Sequence, residues 1–455
     1  MKRKRTTNTV KKNAKIEKLM VMNPHAAGID VGSGEHWVCV PKTSCENNVR
    51  QFGTYTTDLK KIADWLCECG VTTVIMESTG VYWIPLYEVL EERGFDLNLC
   101  NAKHAKNVPG RTKTDRYDCK WLQKLHTYGL LSASFIASSE IRELKVLMRH
   151  RDNLIQESSR HIQRMQKTLT YMNVLLHKVV SDITGYSGMR IIRAILAGET
   201  DSHKLVKYRH KTVKASEEEI VKALEGNYRF EDLFILKQVV ESYDFVIKQI
   251  SEFDSAIDDL FSGLDKQADN KKNPLPKVKK SSKVNYSERV QLYEIFGVDL
   301  IQIPGLSALT LRKLIGEVGL DMSRWKNFKN FTSWLGLSPN RKVSGGKVLS
   351  ERTNQVQSKA AGIFRMAAST LRTSDTFLGG FLRRKKSHIG SAKAITATAR
   401  KIAVIFYTMV KEKISYQELG AEYYEQKYKE RSVKRLMRQA KRLGFSLNQL
   451  ELVKA

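Results

Sequence analysis

The chain has 455 residues, with 77 Lys plus Arg against 48 Asp plus Glu and a formal net charge of +29. That imbalance points to polyanionic partners bound through counterion release, and by itself it fits a ribosome-associated or chromatin-like protein as well as an enzyme. The length allows two or three domains with ample cores, and no apolar stretch approaches the roughly 18 residues of a membrane span, Ile402 to Val410 being the nearest.

Basic residues run from Met1-Lys2-Arg3-Lys4-Arg5 to Lys18 with no hydrophobic signal core behind them, which predicts a cytoplasmic protein with a mobile basic arm. A strand-like run, Ala26 to Gly32, carries Asp30, turns at Ser33-Gly34 and resumes as Trp37 to Val40, a hairpin with a carboxylate in its first strand. An extended segment, Val49 to Tyr55, precedes a helix with Leu59, Ile62, Ala63 and Leu66 at helical spacing. The strand Val71 to Met76 delivers Glu77 at its end. A helix around Leu86 to Glu92, a short strand Asp96 to Cys100 and a helix opened by Lys113-Thr114-Asp115-Arg116-Tyr117-Asp118 complete the segment. Asp115 and Asp118, at i and i+3, share one side of that helix. This order predicts a mixed α/β sheet with acids converging at its centre. The six cysteines, Cys39, Cys45, Cys67, Cys69, Cys100 and Cys119, fall here without Cys-x-x-Cys pairing or a His cluster, so reduced thiols are expected rather than zinc ligands.

Four gathered carboxylates repel one another unless cations are bound. A pair of hard divalent ions about 4 Å apart stabilises the attacking and leaving oxygens of an in-line phosphoryl displacement. Taken singly, a strand Asp or a helix-start Asp is as readily a turn or cap residue.

A heptad register from Ile141 puts Met148, Ile155, Ile162, Leu169, Leu176 and Ile183 at one core position and Leu144, Met165, Met172 and Val179 at the other, with Arg151 and Ser158 interrupting. A second run alternates Leu236, Tyr243, Ile250 and Ile257 with Val239, Val246, Phe253 and Leu260. The two helices pair with each other or with another subunit. Between them, residues 184–234 read as a helical insertion. Lys266 to Lys283 is rich in Lys, Asn, Pro and Ser and reads as a flexible basic linker.

Beyond the linker, Ile303-Pro304-Gly305-Leu306-Ser307 followed by Thr310 to Val318 predicts a helix-hairpin-helix-like element, whose turn and helix start, Gly305 and Ser307, suit a backbone phosphate. The aromatics Trp325, Phe328, Phe331 and Trp334 are read as core. Ser344 precedes Gly345-Gly346, which permit close backbone approach. Arg341, Lys342, Lys347 and Arg352 surround it with charge suited to a scissile phosphate. The C-terminal segment adds Arg383-Arg384-Lys385-Lys386 and a helix bearing Arg431, Lys434, Arg435, Arg438, Lys441 and Arg442, cations suited to RNA or DNA.

Three segments, Gly28-Ile29-Asp30-Val31, Met76-Glu77-Ser78-Thr79-Gly80 and Lys113 to Asp118, together with Leu337-Ser338-Pro339-Asn340-Arg341-Lys342-Val343-Ser344-Gly345-Gly346-Lys347, resemble the DEDD transposases of the IS110 insertion-sequence family. The resemblance covers most of the chain. It implies a ribonuclease-H-like (RuvC-like) N-terminal domain, in which Asp30, Glu77, Asp115 and Asp118 bind Mg2+ (Mn2+ as the alternative), and a C-terminal transposase domain with Ser344 as nucleophile. It further implies DNA cleavage and rejoining through a phosphoserine intermediate. Donor and target DNA would be chosen by a noncoding guide (bridge) RNA, with Lys113, Arg116 and the cations around Ser344 on nucleic acid. A homo-oligomer, dimer or tetramer, is expected, with no membrane partner and a nucleoid-associated place in the cytoplasm.

The expected fold is α/β plus α. Its parts are an arm (1–22), the DEDD domain (23–135), a coiled coil (139–263) with insertion 184–234, a linker (264–288), a transposase domain (289–415) and a basic helical extension (416–455). The acids and Ser344 fall on separate domains, so their meeting requires folding back or donation between subunits. Two other readings use fewer of these parts. A junction-resolving endonuclease needs the acids without Ser344, and a nucleic-acid-binding scaffold needs only the basic surface.

Overall fold

A computed structural model describes residues 20–78, 80–101, 114–131, 134–268, 275, 286–354, 356 and 358–444. The arm before residue 20, Thr79, Lys113, most of the basic linker and residues 445–455 lie outside the described residues. The chain divides into two compact units, Met1–Ile136 and Ala137–Ala455.

The first unit is built on a five-stranded sheet of β1 (Ala26–Val31), β2 (His36–Cys39), β3 (Val49–Phe52), β4 (Thr73–Glu77) and β5 (Asp96–Cys100), in the order β3-β2-β1-β4-β5. β1, β2 and β3 pair antiparallel, whereas β1, β4 and β5 pair parallel, so the sheet is mixed and β1 and β4 lie inside it. Alternation along the strands gives the sheet two different faces. Ala27, Ile29 and Val31 join Val38, Val74 and Met76 on one of them, packed against helices α1 (Thr56–Glu68) and α2 (Trp83–Glu92). Leu59, Ile62, Ala63 and Leu66 of α1 are all buried, as their helical spacing requires.

The opposite parity, Gly28 and Asp30 on β1 with Thr73, Ile75 and Glu77 on β4, faces a third helix, α3 (Asp115–Thr127). A Cβ on Gly28 would stand 2.3 Å from the Gln123 backbone nitrogen. Only glycine lets the helix backbone rest this closely on the strand.

The second unit is mainly helical. Its two long helices, α4 (Ser139–Tyr171) and α7 (Phe230–Gly263), pack along one another within the chain. Arg151 donates two hydrogen bonds to Asp254 across their seam, Nη2 to Oδ2 at 3.1 Å. The heptad register needs two corrections here. α4 ends at Tyr171, so Met172, Leu176, Val179 and Ile183 lie beyond it and pack in the core shared with the insertion. Ile155 is 37% exposed, whereas Ser158 and His161 are buried. The seam follows Ser158, His161 and Met165 at steps of three and four, where a small serine admits the facing helix and leaves Ile155 beside the contact.

Between the long helices, α5 (Tyr186–Leu196) and α6 (Glu217–Leu224) share a core with both of them, through Met165, Leu169, Ile192, Leu224 and Leu236. A capping box between Ser216 and Glu219 starts α6.

The remainder comprises α8 (Tyr286–Phe296), α9 (Ala308–Val318), α10 (Phe328–Trp334), a hairpin of β6 (Lys342–Ser344) and β7 (Lys347–Ser350), α11 (Lys359–Thr370), α12 (Phe377–Ile389), α13 (Ser391–Glu412) and α14 (Gly420–Arg442). Phe296, Phe331, Phe364 and Phe406 are fully buried at its centre, with Phe331 5.5 Å from the Tyr407 ring. Of the aromatics expected in the core, Trp325 and Phe331 are buried and Phe328 is 37% exposed. Among the described residues no helix is long and apolar enough to cross a membrane.

Candidate active site

Three contacts orient α3 on the sheet. His126 Nε2 lies 2.9 Å from Thr73 Oγ1 at the start of β4, and Gln123 Nε2 donates to Ala26 O at the start of β1 (3.2 Å). Leu122 packs on Ile75, one layer further along. The helix therefore runs antiparallel to β1 and β4, and its N-terminal turn, with Asp115 and Asp118, lies toward the C-terminal ends of both strands.

Those ends carry the other two acids. The parallel register pairs Ile29 with Met76, so Asp30 and Glu77 stand one step further along adjacent strands and on the same face. Neighbouring strands are about 4.8 Å apart, which puts two carboxylates side by side. Asp30 is half-buried and Glu77 is buried. The thiols nearby register both charges. Burial and the Glu77 carboxylate push Cys100 up to about 12. Cys119, on the first turns of α3, is raised by its hydrogen bond with Cys39, by burial and by the negative charges of Cys39 and Asp30. Burial holds the His126 imidazole below its ordinary value, consistent with a neutral ring anchoring the far end of the helix.

The sheet and α3 thus bring Asp30 and Glu77 together and turn the helix end that bears Asp118 toward them. Asp118 is half-buried, and Asp115 and Arg116 are exposed. Among the described residues no group of three or more His, Cys, Asp or Glu side chains is placed so that it could hold a metal ion. The donor set that is present, carboxylate oxygens alone, suits a hard cation such as magnesium.

Ser344 sits at the tip of the β6–β7 hairpin, paired with Lys347 across a two-residue Gly345-Gly346 turn. Both glycines have positive φ, 53° and 75°, which the tight hairpin demands and which other residues rarely adopt. The serine is exposed, as are Arg341, Lys342, Lys347 and Arg352, and its hydroxyl has no hydrogen-bond partner among the described residues. Arg341 lies 3.5 Å from Glu351. The base of the hairpin is tied down by Ser338, which bonds Thr332 (2.8 Å) and accepts from Arg400 Nε (3.4 Å).

Gly305 and Ser307 have local roles. A Cβ on Gly305 would meet the Ala367 carbonyl oxygen at 2.5 Å, and Ser307 caps α9 in a capping box with Thr310. Sequence reasoning missed the strands around Ser344 and the part of Arg400. Gly-Gly between two Lys-Val pairs was a legible hairpin signal, whereas nothing local marks Arg400.

Two family models match the chain. One for DEDD transposases of the IS110 type, described as Transposase, matches residues 27–174, which include all four acids. The second, Transposase IS116/IS110/IS902 family, matches residues 299–377, which include Ser344. Two separate parts of the chain are thus similar to IS110-type transposases. This transposase is accordingly a DNA-rearranging enzyme of an insertion sequence, and its five-stranded mixed sheet fits a DEDD ribonuclease-H-like domain. A domain of that type implies divalent-metal dependence in general. No curated protein matches the transposase. Residues 175–298 and 378–455 fall outside both family matches.

Proposed function

We propose that this transposase cuts and rejoins donor and target DNA through a Ser344-linked phosphodiester, with Asp30, Glu77, Asp115 and Asp118 as the metal-binding carboxylates. The observation that carries this reading is the in-register step that sets Asp30 beside Glu77 under the N-terminal end of α3. Carboxylates on adjacent central strands, both facing the same helix, supply the oxygen donors that a hard divalent cation takes.

Each group has a definable task. Asp30 and Glu77, fixed on central strands, hold their oxygens rigidly, and Asp118 completes the set from the helix. Ser344 loses its hydroxyl proton and its oxygen forms a bond to phosphorus. The phosphorus bond to the deoxyribose oxygen breaks, and that oxygen takes up a proton. Reversal with a different strand end rejoins DNA without loss of the phosphodiester's bond energy. Bound Mg2+, or Mn2+ in its place, would ease removal of the attacking proton and neutralise charge on the leaving oxygen. Arg341, Lys342, Lys347 and Arg352 stabilise the phosphate as its charge grows. The two glycines beside Ser344 leave room for the DNA backbone.

Site choice, on this reading, belongs to a noncoding bridge RNA that pairs with donor and target, while the protein binds backbone and shape as a dimer or tetramer. The test combines protein, RNA from the element's flanks, Mg2+ and labelled donor DNA. Asp30→Asn should bind DNA and fail to cut it. If Asp30→Asn cuts normally, the metal-site reading is wrong.

A further inference from the structure

Between Arg352 and Lys411 the sequence contains twelve Lys and Arg residues and one acid, Asp375. Helices α12 and α13 carry eight of these twelve cations, and with α14, all of them beyond both family matches except Phe377, they form a built arrangement rather than a loose tail. Glu418 accepts hydrogen bonds from the Phe377 and Gly420 backbone nitrogens (2.7 Å each), fastening the start of α14 to the start of α12. Tyr424 then enters an aromatic cleft, its ring 5.2 Å from Phe377 and 5.8 Å from Phe381, both edge-on. Gly380 permits this approach, since a Cβ there would already meet the Tyr424 ring at 3.3 Å.

Fastened in this way, three helices bring Lys385, Arg400, Lys401 and Arg431 toward one another. Lys401 stands over Phe381 (4.8 Å) and Phe377 (5.5 Å), and Lys385 also stands over Phe381 (5.9 Å). None of these four cations has a carboxylate within 4.0 Å among the described residues. Burial lowers the Lys401 ammonium from its ordinary value, and Arg431, Arg400 and Lys385 lower it further. Clustered like charges without a counter-ion disfavour the free protein, and an anion would relieve them.

On the other flank, Arg384 lies 3.9 Å above the Tyr428 ring beside an open cavity of about 520 Å³. Glu425 is the one carboxylate among that cavity's lining residues. Beyond Arg431, α14 has no acid and repeats cations at each turn through Lys434, Arg435, Arg438, Lys441 and Arg442. At 1.5 Å per residue that series extends about 16 Å, too long for a small anion and suited to a linear one.

We propose that the junction of α12, α13 and α14 is a binding groove for the phosphate backbone of nucleic acid, separate from the Ser344 hairpin. The groove is sequence-independent. Its aromatic rings are taken up by packing and by the cations above them, so bases have no free face on which to stack. It rests on the assignment of the chain as a DNA transposase, and not on the roles of the acids or Ser344.

The test uses the full-length protein in EDTA, so that strand cleavage plays no part. Binding to arbitrary-sequence duplex DNA, duplex RNA and single-stranded DNA is followed by anisotropy across a salt series. Lys385→Gln/Lys401→Met/Arg431→Gln should weaken binding to at least one of the three about tenfold and flatten the salt dependence by about 0.9 per lost phosphate contact. Its melting temperature should hold or rise, because repulsion has been removed. Arg431→Gln alone, at an exposed position, should show a smaller loss in the same direction. Lys207→Gln/Lys211→Gln/Lys214→Gln, an equal charge change on the helical insertion, should cost less than half as much. Unchanged affinity and slope on all three ligands, or an equal loss in the insertion variant, overturns the proposal. Asp30→Asn should bind normally, so failure of the catalytic reading leaves this result intact.

Discussion

Gly28 lies so close beneath α3 that a Cβ on it would stand 2.3 Å from the Gln123 nitrogen and 2.5 Å from the Cys119 carbonyl oxygen. Both are backbone atoms, so no side-chain rotation relieves the clash. Gly28→Ala should therefore lift the helix from β1, destabilise the fold by about 1–3 kcal/mol and displace Asp118 from Asp30 and Glu77. Urea unfolding and strand cleavage measured together check this. Unaltered stability would mean that the helix is not seated as described.

Asp30→Asn and Glu77→Gln remove charge from a pair of neighbouring strands without changing shape. Cleavage should fall by about two orders of magnitude or more. Added Mg2+ should raise the melting temperature of the unmodified chain and do so less for either variant. A marked loss of stability in both variants would assign the acids a structural role instead.

The thiols make a pH-dependent prediction. Cys100, raised to about 12, keeps its proton when folded, whereas an unfolded thiol loses it near pH 9. The unfolded state then binds fewer protons, so this group's contribution to stability is intact below about pH 9 and is lost as pH rises toward 12. At pH 8 the buried Cys100 and Cys119 should resist alkylation while exposed Cys67 reacts, a contrast readable by mass spectrometry. Rapid labelling of Cys100 in the native protein would contradict it.

Arg289 and Asp299 are both buried, and Asp299 also accepts from Gln302 Nε2 at 3.0 Å. Asp299→Ala strands the guanidinium and should cost about 3–5 kcal/mol. Arg289→Met/Asp299→Leu, which removes both charges, should recover most of that loss in chemical unfolding.

Much of the first unit was legible because its signals are local. Alternation marked the strands, glutamate at a strand end marked Glu77, and i, i+3 spacing paired Asp115 with Asp118. What the sequence withheld was the layering. Gly28 shows no sign in sequence that a helix backbone rests on it, and only strand register sets Asp30 beside Glu77. The long helices were recognisable by heptads, yet Ile155 fell outside the seam because a small Ser158 and the Arg151–Asp254 pair occupy it. Arg400 and Lys401 read as ordinary polar positions on an apolar helix, and their convergence with Arg431 depends on how three helices dock.

The central claim is that Ser344 becomes covalently joined to DNA. Purified protein, its flanking-region RNA, Mg2+ and end-labelled donor DNA should yield a protease-sensitive protein–DNA adduct with the unmodified chain and none with Ser344→Ala. Cleavage that persists in Ser344→Ala without an adduct would contradict the account and leave the carboxylates acting alone as a nuclease.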